Sequence, residues 1–420
     1  MEKNIHVLYV GFTLFGDECA TGQTLKNIFS ECNNTDILQY CLDYTPEYHN
    51  IEERTIFFSK KKSLLFYMLK NAYRKRDKGN SNHGATVELN RLSGSPIVIL
   101  ARALLDVLPK RLDGKAYSII DSFCPDVIYT AGENIATLVQ ALKLSKRYDV
   151  PIVMHLMDNN EDSTYAFLPY TKLFRIIYLH YLEQAYKRSY YNIAISPKMA
   201  KEFASRHNVK FDHAMNCIAE THESKGTVNN PLRFVFSGGL HGGRANMLKK
   251  IGEIISSDKW LNNNVILDVF TSPANVAYYK EELSDYLNLH IYVPQEEMFD
   301  NLGKADVLVH CESFEKDEIE FFKYSMSTKI PEYLSVGRPI LCFGPMEICT
   351  VSFLASNNVG CVATNPNELM KSIELLAENE MLRNEYGKNA IKLAEEYLAP
   401  KVAIRVEKIF NESIDAWKNR

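Results

Sequence analysis

The segment Ser325-Met326-Ser327-Thr328-Lys329-Ile330-Pro331-Glu332-Tyr333-Leu334-Ser335-Val336-Gly337-Arg338-Pro339 gathers residue types that can hold an anion and a diol. Ser327 or Thr328 can cap a helix start, and Pro331 is tolerated only within its first turn. A helix start offers backbone N–H groups and the positive end of the dipole to an anion, and Lys329 adds a mobile positive charge. Glu332, one turn on, can accept two hydrogen bonds from a vicinal diol. Gly337 ends the helix and Arg338-Pro339 leads into a strand. A capped surface helix with Lys329 and Glu332 in water is the competing reading.

A second segment, Phe234-Val235-Phe236-Ser237-Gly238-Gly239-Leu240-His241-Gly242-Gly243-Arg244, runs an apolar strand into a glycine turn. The glycines let the backbone approach an anionic group, and Arg244 can pair with it through a guanidinium fork. Lys249 stands five residues on as a second positive charge. A glycine-rich βα turn with no ligand is the alternative.

The elements that must position these residues alternate between short β-branched runs and helical patterns, the signature of parallel βαβ units. Strands are expected at Ile5–Val10, Val127–Thr130, Ile152–His155 and Asn192–Ile195. A second set follows at Arg233–Ser237, Val265–Phe270, His290–Val293, Val307–His310, Pro339–Cys342 and Gly360–Ala363. Each set opens with an apolar strand into a glycine-containing turn, which implies two Rossmann-like halves. The polar stretch His222–Pro231, with Gly226, Asn229 and Asn230, makes a linker. Leu369, Ile373 and Leu376, then Val402, Val406 and Ile409, recur at helical spacing and read as core-facing stripes.

A chain of 420 residues is too long for one ordinary core, which fits two domains. With 48 Lys+Arg against 52 Asp+Glu the net charge is −4, which argues against a nucleic-acid protein that relies on bulk positive charge. No apolar run reaches the roughly 18–20 residues that span a bilayer, and the run Ile5–Val10 is too short for a signal peptide. The nine cysteines show no C-x-x-C pair, so a disulfide framework and a zinc site are unsupported and a reducing cytoplasm is expected. The histidines lack an H-E-x-x-H spacing, and no metal is implied. Residues 60–78 mix lysines and arginines with apolar bulk, which could dock on an anionic membrane face. A solvated surface is the duller reading.

The segment around Lys329 and Glu332 resembles the nucleotide-sugar-binding helix of retaining GT-B glycosyltransferases in glycosyltransferase family 4, whose pattern is Glu, seven residues, Glu, then Ala-Met-Ala-x-Gly-x-Pro-Val. Glu332 falls on the second glutamate, with Gly337 five residues later and Pro339-Ile340 following. The resemblance implies that Glu332 holds the ribose hydroxyls of the donor. The first glutamate would fall at Tyr324, and Glu315, Glu318 and Glu320 are left as replacements. The glycine turn resembles the family's Phe-x-Gly-Arg-Leu-x-x-x-Lys, with Gly239 for the usual Arg and Arg244 at the Lys position. Asn192–Ser196 and His213–Ile218 resemble two further elements of the first domain, the second with Cys217 in place of a glycine.

In Ile152-Val153-Met154-His155-Leu156-Met157-Asp158, Asp158 matches the aspartate of a His-Asp pair often found at this strand end. Met157 stands at the histidine position, and His155 lies two residues earlier. His155 is placed against the sugar or acceptor, with a buried structural histidine as the alternative. Gly16–Thr24 occupies the position of the family's first glycine-rich loop, with Gly22 and Thr21 nearest the donor diphosphate. Glu133 and Asn134, in a loop after a strand, could line the same cleft by loop position.

The resemblance implies an α/β GT-B fold with two Rossmann-like domains facing a central cleft. Residues 1–222 would bind the acceptor, 223–400 the nucleotide sugar, and 401–420 would form a helix packing back on the first domain. The implied activity is metal-independent transfer of a hexosyl or other glycosyl group, with retention, from a nucleotide diphosphate sugar to a glycan or lipid-linked glycan hydroxyl in surface polysaccharide biosynthesis. Catalytic roles fall to Arg244, Lys329, His155 and Asp158. Gly22, Gly238, Gly239, Ser327, Thr328 and Glu332 would bind the donor. No cofactor is needed beyond the donor substrate, and the expected location is the cytoplasm or the inner face of the cell membrane. Two alternatives share the fold: a catalytically silent binding subunit and a nucleotide-sugar 2-epimerase.

Overall fold

The computed structural model describes residues 4–17, 19–42, 55–57, 96–108, 112, 114–166, 171–222 and 229–420. The basic stretch at 60–78 lies outside them. The chain divides into two compact units, residues Met1–Met215 with Pro400–Arg420, and Asn216–Ala399. The division falls after Met215 rather than at 222 because the next residues join the second unit. Ile218 bridges Leu398, and the His222 N–H donates to the Ser335 carbonyl at 2.7 Å.

The first unit is built on a parallel sheet of seven strands: β1 (Ile5–Gly11), β2 (Thr35–Cys41), β3 (Thr55–Phe57), β4 (Val127–Thr130), β5 (Ile152–Leu156), β6 (Tyr191–Ala194) and β7 (Lys210–His213). Their order is β3-β2-β1-β4-β5-β6-β7. Val7, Leu8, Tyr9 and Val10 of β1 are fully buried because helices cover both faces of a central parallel strand. The last helix, Ala399–Lys418, packs within this unit from Pro400 onward. Val402, Val406 and Ile409 are buried, and Phe410 stacks on Phe29 and meets the Tyr129 ring edge-on. The Glu407 carboxylate accepts from the Asn34 N–H at 2.8 Å.

The second unit repeats the scheme with six parallel strands: β8 (Leu232–Ser237), β9 (Val265–Thr271), β10 (Asn288–Ile291), β11 (Val307–Cys311), β12 (Ile340–Phe343) and β13 (Gly360–Ala363). The order is β10-β9-β8-β11-β12-β13. Asp268 on β9 ties the edge together: its carboxylate accepts from Arg233 on β8 and from Asn288 and His290 on β10. In both sheets the chain winds out one way, returns, and continues the other way. This leaves a switch point between β1 and β4 and another between β8 and β11, where open parallel sheets hold their ligands beyond the strands' carboxyl ends.

Candidate functional site

At the second switch point β8 ends in Ser237 and passes through Gly238–Gly243 into the helix Arg244–Ser257. Gly243 caps this helix at φ +72°, and a Cβ there would sit 2.7 Å from the Ser313 hydroxyl. Only glycine combines that backbone with that closeness. Across the switch point β11 ends at Cys311, and Glu312 follows with 2% of its surface exposed. Arg244 Nη2 lies 3.0 Å from both Glu312 carboxylate oxygens, and His310 Nε2 lies 3.0 Å from Oε1. The guanidinium stacks over the Phe322 ring at 5.2 Å. Burial alone would raise the Glu312 pKa, but Arg244 and His310 reverse this and hold it at about 2. Arg244 stays charged by the same attraction, against the burial that opposes it.

The helix Lys329–Ser335 turns Ile330, Tyr333 and Leu334 into the core and leaves Lys329 partly exposed and Glu332 mostly buried. The Tyr333 hydroxyl accepts from the Ser237 N–H at 2.8 Å and donates to the Ser237 carbonyl, which fastens this helix to the glycine turn. Asn216 donates to the Thr328 carbonyl at 2.8 Å. Lys329 Nζ lies 3.6 Å from Glu332 Oε2 and 6.0 Å from the Tyr292 ring. Burial raises the Glu332 pKa, and Lys329 opposes the rise. Tyr292, just past β10, lies within electrostatic reach of both Arg244 and Glu332. The Arg244 and Glu332 charges thus both act on this phenol, and Lys329 lies over its ring.

Several expected contacts are already taken inside the fold. The Ser327 N–H donates to Thr350 Oγ1, the Lys329 N–H to Ser327 Oγ, and the Ile330 N–H to the Ser327 carbonyl. Pro331 has no N–H, so the helix start at Ser327 and Thr328 offers an anion much less than its sequence suggests. The Gly238 N–H donates to the Phe270 carbonyl at 3.0 Å, and the space beside Gly239 is filled by the His241 ring. Lys249 pairs with Glu282 at 3.3 Å, away from the turn. Of the three replacement acids, Glu318 is the one that reaches the turn, 3.3 Å from where a Gly242 Cβ would lie. Tyr324 is buried.

In the first unit His155 is fully buried: Nε2 donates to the Ala214 carbonyl at 2.9 Å and Nδ1 accepts from the Tyr129 hydroxyl at 2.6 Å. Burial depresses its pKa to about 4, and the ring stays neutral. His155 is therefore a structural histidine, not a group that meets substrate, because both nitrogens are used inside the core. Gly22 is closed in by Asp17, whose Cβ and carbonyl lie 2.7 Å from where its Cβ would be, and its N–H donates to Cys19 Sγ. Asn134 caps the helix Ile135–Tyr148 in a reciprocal box with Thr137.

Asp158 is brought near Glu133 rather than His155. Burial first, then the charges of Asp158 and Asp106, push the Glu133 pKa up to about 7. Among the described residues no group of three or more His, Cys, Asp or Glu is arranged to hold a metal ion. No described helix is long and apolar enough to cross a membrane.

Glu312, His310, Tyr292 and Tyr333 escaped the sequence reading. The His310-x-Glu312 spacing at the end of an apolar strand was the one local signal, since alternate residues share a strand face.

These two Rossmann-like parallel-sheet units define the GT-B fold. The chain is similar over 97% of its length to 99% of WaaG, a glycosyltransferase involved in lipopolysaccharide biosynthesis, with a TM-score of 0.58 and 13% identity. It is similar to TarM over 98% of this chain and 99% of that one, with a TM-score of 0.61 and 10% identity. Sucrose-phosphate synthase from Thermosynechococcus elongatus gives a TM-score of 0.61 at 10% identity, covering 99% and 100% of the two chains. No family model matches the sequence, and no curated protein does.

Proposed function

We propose that the protein is a glycosyltransferase that moves a sugar from a nucleotide diphosphate sugar to a hydroxyl of a glycan or lipid-linked glycan, with retention, in surface polysaccharide biosynthesis. The observation that carries this reading is that Arg244, which opens the helix at the second unit's switch point, and the Lys329–Glu332 pair all act on Tyr292 beyond the carboxyl ends of the same sheet. The fold it shares with glycosyltransferases of known structure supports it. On this reading the second unit binds the donor and the first unit binds the acceptor. The work is done in the cytoplasm or at the inner membrane face.

Breaking the anomeric C–O bond leaves positive charge on the sugar and negative charge on the departing diphosphate. Arg244 and Lys329 neutralise the diphosphate, which lowers the barrier because their charges are fixed before the bond breaks. Glu332 accepts hydrogen bonds from the ribose diol and fixes the nucleoside. The acceptor oxygen bonds to the anomeric carbon on the face the diphosphate leaves, and its proton passes to the departing phosphate oxygen. No carboxylate pair at glycosidase spacing is then required.

A screen of UDP-, GDP- and ADP-sugars for released nucleoside diphosphate, with and without lipid-linked glycan, tests the proposal. Release that depends on acceptor supports it. Nucleotide binding without turnover on any acceptor would return the chain to the silent-subunit reading, and an epimerised donor sugar would reject transfer.

A further inference from the structure

Arg244 is the cation best placed to receive a diphosphate, yet it already has an anion. Both Glu312 oxygens lie 3.0 Å from Nη2, and Glu312 is 2% exposed while the Arg244 side chain is 13% exposed. His310 Nε2 lies 3.0 Å from Oε1 of the same carboxylate. The other guanidinium terminus, Nη1, lies 3.4 Å from His241 Nε2. Phe322 lies under the guanidinium plane, and Glu318 adds a second negative charge within electrostatic reach. A carboxylate held this firmly does two things. It fixes the guanidinium in one orientation, and it cancels much of the charge that would otherwise hold an anion.

We infer that Glu312 is the resident counter-anion of Arg244, a positioning residue that weakens the hold on the nucleoside diphosphate and so sets the rate at which this product leaves. The inference rests on the diphosphate reading of the site given above. A leaving group must be bound tightly enough to depart from the sugar, and loosely enough to depart from the protein. An unopposed buried arginine would meet the first need and fail the second. Glu312 supplies the opposition: when the diphosphate draws on Arg244, the carboxylate loses part of its partner, and that cost is returned when the product leaves. His310 keeps the carboxylate in place through the exchange, so the pair re-forms without rearrangement of the loop.

The test is Glu312→Gln, which keeps an oxygen to accept from Arg244 and removes the charge. Calorimetric titration with UDP, GDP and ADP should show the nucleotide that binds the unaltered protein binding the variant on the order of tenfold more tightly. Stopped-flow release of that nucleotide should slow by a similar factor. The gain should vanish when Arg244→Gln is added, because the carboxylate acts through that guanidinium. Unchanged or weaker binding in Glu312→Gln overturns the inference while leaving the function standing. Failure of all three nucleotides to bind the unaltered protein overturns both. If Glu312→Gln does not fold, the side-chain nitrogen resonances of Arg244 in the unaltered protein decide: they must shift on saturation with nucleotide, and no shift refutes the exchange.

Discussion

Glu133 and Glu312 stand in corresponding places, each shortly after the strand that follows its sheet's switch point, and their surroundings push them in opposite directions. Glu133 has the carboxylates Asp158 and Asp106 for neighbours and rises to about 7. Glu312 has Arg244 and His310 and falls to about 2. The two units therefore carry the same scaffold with opposite electrostatics. On the proposed reading the second unit sets Arg244 and Lys329 where a departing anion would sit. The first sets Glu133 among the like charges of Asp158 and Asp106, which on the proposed reading would suit neutral hydroxyl groups rather than phosphate.

Removing the cation that defines the second unit should have the largest effect. Arg244→Ala leaves the buried Glu312 carboxylate without its partner, and such losses cost about 3–5 kcal/mol. Urea denaturation should show that loss, and calorimetry should show weakened but measurable nucleotide binding. Arg244→Lys, which retains a charge, should recover much of the stability but little of the turnover. Lys329→Ala should lower turnover by about 100-fold, the scale of one lost electrostatic contact to a transition state. Lys329 is partly exposed and its pair with Glu332 is local, so thermal unfolding should barely move.

His155→Leu breaks the comparison from the other side. It leaves the Tyr129 hydroxyl and the Ala214 carbonyl unpaired in the core, at about 1–3 kcal/mol for each. Turnover per folded molecule should stay unchanged, and a selective loss of turnover would restore His155 to the site. Glu332→Gln should weaken nucleotide binding by about tenfold with little effect on stability, since the diol loses a charged acceptor.

The smallest effect is a slope with pH. Folded Glu133 keeps its proton between its ordinary value of 4.5 and about 7, where the unfolded chain gives it up. The folded state then binds more protons, so stability falls as pH rises through that window. Glu133→Gln should flatten this slope in unfolding curves. Glu312, depressed to about 2, has the opposite sign: its contribution is whole above 4.5 and is lost as pH falls toward 2.

Most strands were legible in the sequence because buried parallel strands announce themselves as apolar runs. Val127–Thr130 and Gly360–Ala363 match residue for residue, and the strand expected at His290–Val293 runs from Asn288 to Ile291. Three strands gave no such signal. β2 interrupts its apolar residues with Asp36 and with Gln39, which is buried because it accepts from the Phe15 N–H. β7 is a polar edge strand, Lys-Phe-Asp-His, and β3 has only three residues.

At the candidate site, the helix that carries Lys329 and Glu332 was legible from its local sequence. Glu312 was not, because its meaning comes from the crossover that sets β11 beside β8 and meets Arg244 from a distant part of the chain. His155 shows the converse. Its position at a strand end was readable, but the Tyr129 hydroxyl and the Ala214 carbonyl that occupy it come from elsewhere in the fold.

Titration calorimetry of the unaltered protein and of Lys329→Ala with UDP, GDP and ADP tests most directly whether the second unit receives a nucleoside diphosphate. One of the three should bind the unaltered protein and lose most of its affinity in the variant. Equal affinity in both proteins, or no binding to either, would contradict it.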